Sequence, residues 1–375
     1  MRIAVLFNAE FHQILHALPI AIALATDHRE TEVSILAPSD EHFRFVEQYL
    51  PDGMRNALRF VKLDSPAWVS AYRALTSDLA CMKKAMLTHN KSLLADFDAL
   101  IVPERTTAFL KKAGLTELQL IHSGHGAGDQ ERSFNPAIQA FDFVLLSGRK
   151  YEKHLLQHGL IRQGHYAVTG YPKFDLLLNR QTPRASETLF GNDLPTLLYA
   201  PHFNEKLSSW PGLGRQLIDF ISTSKQFNLI FAPHVRLFYP PTWWKRIAFR
   251  RYAAAPNILI DLGSDRSNDM SYTNAADIYV GDVSSQVYEF IVRPRPCVFL
   301  NAHKVDWAGD PFYLCWKCGP VIERIEQLPT AIQEARADHF REQQERLFRD
   351  TFDLADRPSS ARAAAAIVEF LKRLL

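Results

Sequence analysis

Strand-like runs alternate with helix-length segments along the chain, and this alternation most constrains the fold. Apolar runs rich in β-branched residues recur at 2–7, 33–37, 58–63, 98–102, 118–122, 141–147 and 165–170. A second series follows at 196–200, 227–232, 257–262, 276–281 and 297–301. Parallel strands need long crossover connections, usually helices, so each series predicts a parallel sheet covered by helices on both faces.

The two series are separated by a polar stretch, 180–195, that contains two prolines and a glycine. A chain of 375 residues is long enough for two domains. We therefore predict an α/β fold class with two Rossmann-like domains, over residues 1–182 and 193–358, facing a central cleft. The final segment, 359–375, begins with two serines and predicts a helix that packs back on the N-terminal domain.

Charge and hydropathy exclude several kinds of partner. The chain has 43 basic and 41 acidic residues, so no overall field favours nucleic acid. The longest apolar run, LHALPIAIALA, is too short to cross a bilayer. We expect a cytoplasmic protein. The segment 243–252, WWKRIAFRRY, is compatible with peripheral contact with an anionic membrane at the inner face of the plasma membrane, or with a solvated basic face.

The four cysteines do not form a disulfide framework in a chain of this size. Cys315 and Cys318 have the spacing of a redox pair or half a zinc site, but no second such pair accompanies them. We expect reduced thiols, no metal and no cofactor.

The stretch HSGHGAGD, at 122–129, follows a predicted strand and carries a histidine between glycines. Histidine takes up a proton near neutral pH, so His125 is a candidate general base. We expect Asp129 to orient it and the glycines to keep space clear around it; these are Gly124, Gly126 and Gly128. The alternative is a tight turn with a packed histidine. The orientation of His122 stays open.

The motif GYPKFD, at 170–175, ends the next predicted strand. Tyr171 and Lys173 are candidates for the acceptor side of the cleft. The motif would equally serve as a simple turn.

Two strands of the second series end in the same Ala-Pro-His sequence, which places His202 and His234 at equivalent positions. We expect both imidazoles to point into a common space beyond the sheet edge. Arg236 adds a guanidinium suited to phosphate, so the group predicts a phosphate site.

The stretch 276–293 predicts a strand that ends at Gly281, followed by Asp282 and a helix opened by Ser284 and Ser285. Unpaired N–H groups at a helix start attract anions, so these residues are candidates for binding a phosphate. Ordinary capping by serine is the alternative, and it needs only one of the two hydroxyls.

Taken in order, these motifs over 118–301 resemble the CDP-glycerol glycerophosphotransferase family. The resemblance implies a glycosyltransferase-B architecture and an enzyme that builds teichoic-acid-like or capsular polymers. It further implies a nucleotide-activated donor, such as CDP-glycerol, as substrate and a polymer or lipid-linked acceptor. The family usually has Trp-His-Gly-Thr where this chain has Gly124-His125-Gly126-Ala127.

The resemblance also implies roles for individual residues. His125 corresponds to the candidate base for the acceptor hydroxyl, and His234 to a histidine that contacts donor phosphate. The family's Asp-x-Ser-Ser segment, which binds the donor pyrophosphate, corresponds to Asp282, Ser284 and Ser285.

The expected function is transfer of a glycerol-phosphate or related unit from a nucleotide-activated donor. Alternatives on the same fold are a nucleotide-sugar glycosyltransferase, a 2-epimerase or a hydrolase. A catalytically inactive nucleotide-binding or scaffold protein is the alternative from another class.

Overall fold

The computed structural model describes residues 1–8, 10–66, 69, 79–129, 135–178, 186–238, 247–252 and 254–374. The chain divides into two compact units. The first comprises Met1–His125, Phe134–Asn179 and Asp350–Leu375, and the second comprises Gly126–Ser133 and Arg180–Arg349. Apart from the final helix, 359–375, which the sequence predicts to pack back on the N-terminal domain, the predicted domains are continuous, and the division differs from them in two places. The short segment after His125 belongs to the second unit, and the residues from 350 onward belong to the first.

The first unit is built on a seven-stranded parallel sheet with the order β3-β2-β1-β4-β5-β6-β7. Its strands are β1 Arg2–Leu6, β2 Glu32–Ala37, β3 Arg59–Lys62, β4 Ala99–Val102, β5 Gln119–His122, β6 Phe143–Leu146 and β7 Tyr166–Val168. Every residue of β4 and β6 is buried, as expected for parallel strands covered on both faces.

The second unit is built on a six-stranded parallel sheet with the order β10-β9-β8-β11-β12-β13. Its strands are β8 Thr196–Ala200, β9 Asn228–Phe231, β10 Ile258–Ile260, β11 Ile278–Gly281, β12 Cys297–Leu300 and β13 Val321–Ile322. The twelve strands that the sequence predicts are all present. Only β13 was missed, because two residues are too short to form a recognisable pattern.

Helices connect the strands in both units. In chain order, the described α-helices are α1 Ile14–Asp27, α2 Asp40–Glu47, α3 Leu79–His89, α4 Lys91–Leu94, α5 Phe109–Lys112, α6 Arg149–Gln157, α7 Pro172–Leu177, α8 Arg215–Ser224, α9 Ser271–Ala275, α10 Ser285–Phe290, α11 Leu328–Glu334, α12 Asp338–Thr351 and α13 Ser359–Lys372. The apolar helix α1 is largely buried and packs against α7 and α13. The C-terminal helix is therefore an integral part of the first unit.

Each sheet has a position where the strand order reverses, between β1 and β4 in the first unit and between β8 and β11 in the second. In open parallel sheets, ligands bind beyond the carboxyl ends of the strands at such a position. The residues that follow β1, β4 and β5, and those that follow β8, β9 and β11, are therefore the places to examine for chemistry.

Among the described residues, no helix is long and apolar enough to span a membrane. The predicted membrane-contact segment, 243–252, lies partly outside the described part of the chain, since its residues 243–246 are not described. Of the predicted linker, 180–185 also lies outside it. Arg251, which is described, pairs with Asp219 at 3.0 Å.

Candidate functional site

His125 lies three residues beyond β5, and its two ring nitrogens have different partners. Nδ1 is 2.5 Å from the carbonyl oxygen of Pro103, which follows β4. A carbonyl oxygen only accepts, so Nδ1 carries the proton and Nε2 carries the lone pair. The amide nitrogen of Gln13 lies 3.4 Å from Nε2 and is the donor there. Nε2 is therefore the atom that can take a proton from a substrate.

The surroundings of the His125 ring keep it neutral. The residue is exposed as a whole, but its ring nitrogens face protein atoms. Desolvation of the ring lowers its pKa, the hydrogen bond to Pro103 partly opposes this, and the nearby Arg105 lowers it further. An imidazole with a lowered pKa is unprotonated at neutral pH, which is the state a general base needs.

Two further histidines lie beside His125: His12, in the 3₁₀ helix Phe11–Gln13 that precedes α1, and His16, in the first turn of α1. The ring centroid of His12 is 6.0 Å from that of His125, and the centroid of His16 is 6.4 Å from it. His16 is buried, and its pKa is well below the usual value because of burial and, next, the charge of Lys173. Three imidazoles thus lie together beyond the position where the strand order of the first sheet reverses, and the pKa values of His16 and His125 are both lowered.

The three glycines around His125 have different surroundings. Gly124 has φ +70°, and a Cβ there would meet no atom within 4 Å. Gly126 has φ +77°, and its Cβ would lie 3.1 Å from the Ser285 hydroxyl oxygen. A Cβ at Gly128 would be 3.4 Å from the Ser285 backbone nitrogen. Two of the glycines therefore make room for the start of α10, whereas the sequence predicts that they clear space around His125.

Asp129 has a structural role, which corrects the prediction that it orients His125. Its carboxylate is buried and accepts the Tyr288 hydroxyl at 2.6 and 2.8 Å and the Cys315 backbone N–H at 2.8 Å. These bonds fix the segment after His125 onto α10 and onto the 3₁₀ helix Pro311–Cys318. The orientation of His125 comes instead from Pro103.

His122 and the motif at 170–175 build the core of the first unit. His122 is buried against Phe141, with ring centroids 4.9 Å apart, and burial lowers its pKa to about 3. Tyr171 is buried and packs on Phe352. The Asp175 carboxylate accepts the first two N–H groups of α13, at 3.2 and 2.6 Å.

Tyr171 therefore has a packing role and offers no acceptor surface. Lys173 is buried as well, with 4% of its surface exposed. Its charge acts on His16, and the ring centroid of Tyr171 is 5.2 Å from that of His16, so both predicted acceptor-side residues lie beside the histidine group.

In the second unit, the structure brings the two predicted histidines together. His202 and His234 follow β8 and β9, and their ring centroids are 5.8 Å apart. Phe203 packs on both rings. The exposed Arg236 places its guanidinium carbon 4.9 Å from the Phe203 ring centroid. A cation stacked on a ring keeps its N–H groups directed outward, so this cluster can receive an anion.

Asp282 is a buried anchor, which corrects its assignment to phosphate. One carboxylate oxygen accepts the backbone N–H groups of His202, at 2.8 Å, and Ser209, at 3.0 Å. Its other oxygen, Oδ1, has no hydrogen-bond partner among the described residues. Burial raises the pKa of Asp282 to about 6. A carboxylate repels phosphate, so Asp282 supports the loop of His202 and is not itself a phosphate ligand.

The remaining predicted donor residues have separate roles. The Ser284 hydroxyl accepts the Gln286 N–H at 3.2 Å, which is ordinary capping of α10. Gly281 leaves space for the ring of Tyr279, whose hydroxyl would be 2.9 Å from a Cβ. Of the predicted group, Ser285 alone is half-buried at the helix start with its hydroxyl beside Gly126.

Sequence reasoning missed the polar residues that follow β1 and β4. Asn8, Gln13 and Glu104 are buried, and Gln13 contacts His125 directly. Glu104 accepts the Thr107 N–H at 3.1 Å and so fixes the turn next to Pro103. In the sequence these residues can be recognised only as polar residues that follow strands. That they lie near His125 or Pro103 becomes apparent only once β1 and β4 are known to be neighbours.

Comparison with known proteins identifies the family. Residues 104–369 match the family model described as CDP-Glycerol:Poly(glycerophosphate) glycerophosphotransferase. The chain belongs to this family. The match includes His125 and the whole described cluster of His202, His234 and Arg236. It confirms the family resemblance found in the sequence, and it makes the chain a member of a transferase family.

Comparison with solved structures supports the fold over the full length. A putative UDP-N-acetylglucosamine 2-epimerase from Listeria monocytogenes is 14% identical, with a TM-score of 0.67 over 99% of this chain and 97% of that chain. The wall teichoic acid polymerase TagF is 12% identical, with a TM-score of 0.64 over 100% and 89% of the two chains. The UDP complex of S. aureus MnaA is 13% identical, with a TM-score of 0.64 over 100% and 97%. A search of curated proteins finds no match.

These likenesses confirm the predicted fold class, two Rossmann-like α/β domains of the glycosyltransferase-B type. Identities this low relate the folds and not the substrates. The family match rests on sequence, and it favours the transferase family over the epimerases of the same fold.

Proposed function

We propose that the protein transfers a glycerol-phosphate or related polyol-phosphate unit from a nucleotide-activated donor, such as CDP-glycerol, to a hydroxyl group of a cell-envelope polymer or lipid-linked acceptor. The family match supports the reaction class. The observation that carries the proposal is the His125 tautomer: its Nδ1–H is fixed by Pro103, so its Nε2 is a base.

In the proposed reaction, an acceptor hydroxyl replaces the Gln13 amide at His125 Nε2. The hydroxyl oxygen forms a bond to the donor's terminal phosphorus while Nε2 takes the proton. The bond from that phosphorus to the bridging oxygen breaks, and the nucleoside monophosphate leaves with the electron pair. A base that is neutral at rest and placed at the attacking oxygen is suited to this step.

The leaving phosphate gains negative charge, which hydrogen-bond donors or cations must stabilise. In the second unit, His234 and Arg236 are the proposed donors, with His202 beside them. The ring of His234 accepts the Arg236 backbone N–H at Nδ1, 3.2 Å away, so in the neutral ring the proton is on Nε2. Ser285 is a further proposed contact. Preorganised donors of this kind stabilise developing charge effectively.

A nucleotide-sugar 2-epimerase or hydrolase is the second candidate, because a 2-epimerase has the same fold with a TM-score of 0.67. Such an enzyme turns over its donor without any acceptor.

For the transferase, we further propose a cytoplasmic location, peripheral contact with the membrane through 243–252, and a role in the assembly of teichoic-acid-like or capsular polymers.

The test is a 31P NMR assay of CDP-glycerol turnover, with and without a lipid-linked glycerol-phosphate acceptor. We expect CMP to form only when acceptor is present, and His125→Ala to abolish it. His158→Ala, an exposed histidine bonded to the His154 carbonyl, is the matched control and should retain activity. A product formed from donor alone, or wild-type transfer by His125→Ala, would overturn the proposal.

A further inference from the structure

The turn that joins β1 to α1 contains buried polar atoms that lack hydrogen-bond partners. Asn8 is 7% exposed, and neither its side-chain oxygen nor its nitrogen has a partner among the described residues. Gln13 is 6% exposed, and its side-chain oxygen likewise has no partner in the described part of the chain. Both residues lie within one short connection beyond the carboxyl end of the central strand.

Such an arrangement costs folding free energy. A buried polar atom without a partner costs roughly 1–3 kcal/mol, which is why native proteins contain few of them. Polar side chains of this kind occur where a ligand completes their hydrogen bonds. The turn also lies at the position where the order of the first sheet reverses, which is the usual place for a ligand in this fold.

The Gln13 amide connects this turn to the base. Its nitrogen is 3.4 Å from His125 Nε2 and 3.3 Å from a carboxylate oxygen of Glu10. A long contact to a neutral nitrogen is weak, so an incoming hydroxyl can replace it at small cost. The amide then remains next to the substrate, with its oxygen as an acceptor.

We propose that Asn8 and Gln13 form a subsite for uncharged hydroxyl groups of the acceptor, next to the hydroxyl that His125 deprotonates; this rests on the proposed function. The side-chain atoms of Asn8 and Gln13 that lack a hydrogen-bond partner among the described residues are two acceptor oxygens and one donor nitrogen. A hydroxyl both donates and accepts, so a polyol satisfies this set. A phosphate presents mainly negatively charged acceptor oxygens and would meet two amide oxygens. The subsite therefore selects the neutral, hydroxyl-bearing end of the acceptor.

The variants Asn8→Leu and Gln13→Met keep the approximate volume and remove the polar atoms. If Asn8 serves the ligand, unliganded Asn8→Leu should melt at or above the wild-type temperature, because unmet polar groups have been removed. Gln13→Met also loses the contacts of the amide nitrogen with His125 and Glu10, so it is judged by binding alone. Asn90→Leu is the matched control. Asn90 is a buried asparagine of the same unit that makes bonds at 2.7, 2.8 and 3.0 Å, so its loss should lower the melting temperature.

Binding is measured by calorimetry with glycerophosphoglycerol as the polyol probe and inorganic phosphate as the comparison, in the absence of donor. We expect the wild type to bind the polyol probe in preference to phosphate, and each variant to bind it about tenfold more weakly. No binding by the wild type, equal binding by the variants, tighter binding of phosphate, or a lowered melting temperature of Asn8→Leu would each overturn the subsite.

The donor is assayed separately with CDP-glycerol. If the polyol probe binds and its affinity falls in the variants while CDP-glycerol is never turned over, the subsite stands and the proposed function fails. If transfer proceeds with an unchanged KM for the acceptor in both variants, the function stands and the subsite fails.

Discussion

The Tyr288 hydroxyl donates to both carboxylate oxygens of Asp129, at 2.6 and 2.8 Å, across a sequence separation of 159 residues. Both side chains are buried, and burial next to this carboxylate holds the pKa of Tyr288 well above its usual value. The pair fixes the segment that follows His125 within the second unit.

Asp129→Ala should therefore destabilise the second unit by about 3 kcal/mol, because it leaves the Tyr288 hydroxyl and the Cys315 N–H buried without an acceptor. Urea unfolding measures the loss. The exposed Asp193→Asn is the control and should change stability by less than about 0.5 kcal/mol. An Asp129→Ala protein as stable as the control would contradict this role.

Comparing Gly124→Ala with Gly126→Ala distinguishes the cost of backbone strain from the cost of a contact with Ser285. Both glycines have a positive φ, so each alanine costs about 1 kcal/mol of strain. Only at Gly126 does the new methyl group also approach the Ser285 hydroxyl. We expect Gly126→Ala to be the less stable variant and to bind CDP-glycerol more weakly, as measured by thermal shift. Equal effects of the two substitutions would show that the contact with Ser285 is unimportant.

The pH dependence of transfer should report His125. Its pKa is lowered, so the base remains unprotonated as the pH falls through 6.5, the ordinary value for histidine. We expect the acid decline of kcat/KM to be centred below pH 6.5. Gln13→Met removes a donor that favours the neutral ring, so its acid decline should move to higher pH. A wild-type decline centred above pH 6.5 would rule out this assignment.

Asp282→Asn should stabilise the second unit at neutral pH. The folded-state pKa of Asp282, about 6, lies above its ordinary value of 3.8, so the folded state favours the protonated form. The carboxylate therefore costs about 3 kcal/mol at pH 7, and this cost diminishes as the pH falls from 6 towards 3.8.

Asparagine retains an acceptor for the His202 and Ser209 N–H groups without the charge. We expect Asp282→Asn to melt above the wild type at pH 7.5, with the difference vanishing near pH 4, in scanning calorimetry. Asp282→Ala, which removes the acceptor, should melt below the wild type at both values. A stability difference independent of pH would refute the raised pKa.

Buried histidines should make the first unit less stable in acid, whereas protonation of Asp282 removes a cost from the second unit. The pKa values of His16 and His122 are lowered by burial, to about 3 for His122, so the unfolded chain takes up protons that the folded unit does not. Stability is full above the ordinary value of 6.5 and is lost as the pH falls below it, at about 1.4 kcal/mol per pH unit for each ring. Hydrogen exchange at pH 7 and pH 5 should show loss of protection in the first unit. His122→Phe should reduce that loss.

Local pattern was sufficient for the strands and for the pairing of His202 with His234, because apolar runs and strand ends are local properties. It was insufficient for Asp129, whose partners lie 159 and 186 residues away. Nothing within HSGHGAGD distinguishes a carboxylate that orients a histidine from one that binds a distant tyrosine. The same holds for Gln13, whose contact with His125 depends on the order of strands in the sheet.

The packing of α13 on α1 has a consequence for synthesis of the protein. The ribosome produces α1 early, but the helix that covers it is complete only when residue 372 has emerged. The second unit ends at Arg349 and is available sooner. During translation the later part of the sequence can thus reach its native state first, while the apolar helix α1 lacks the helix that covers it, and exposed apolar surface of this kind favours aggregation.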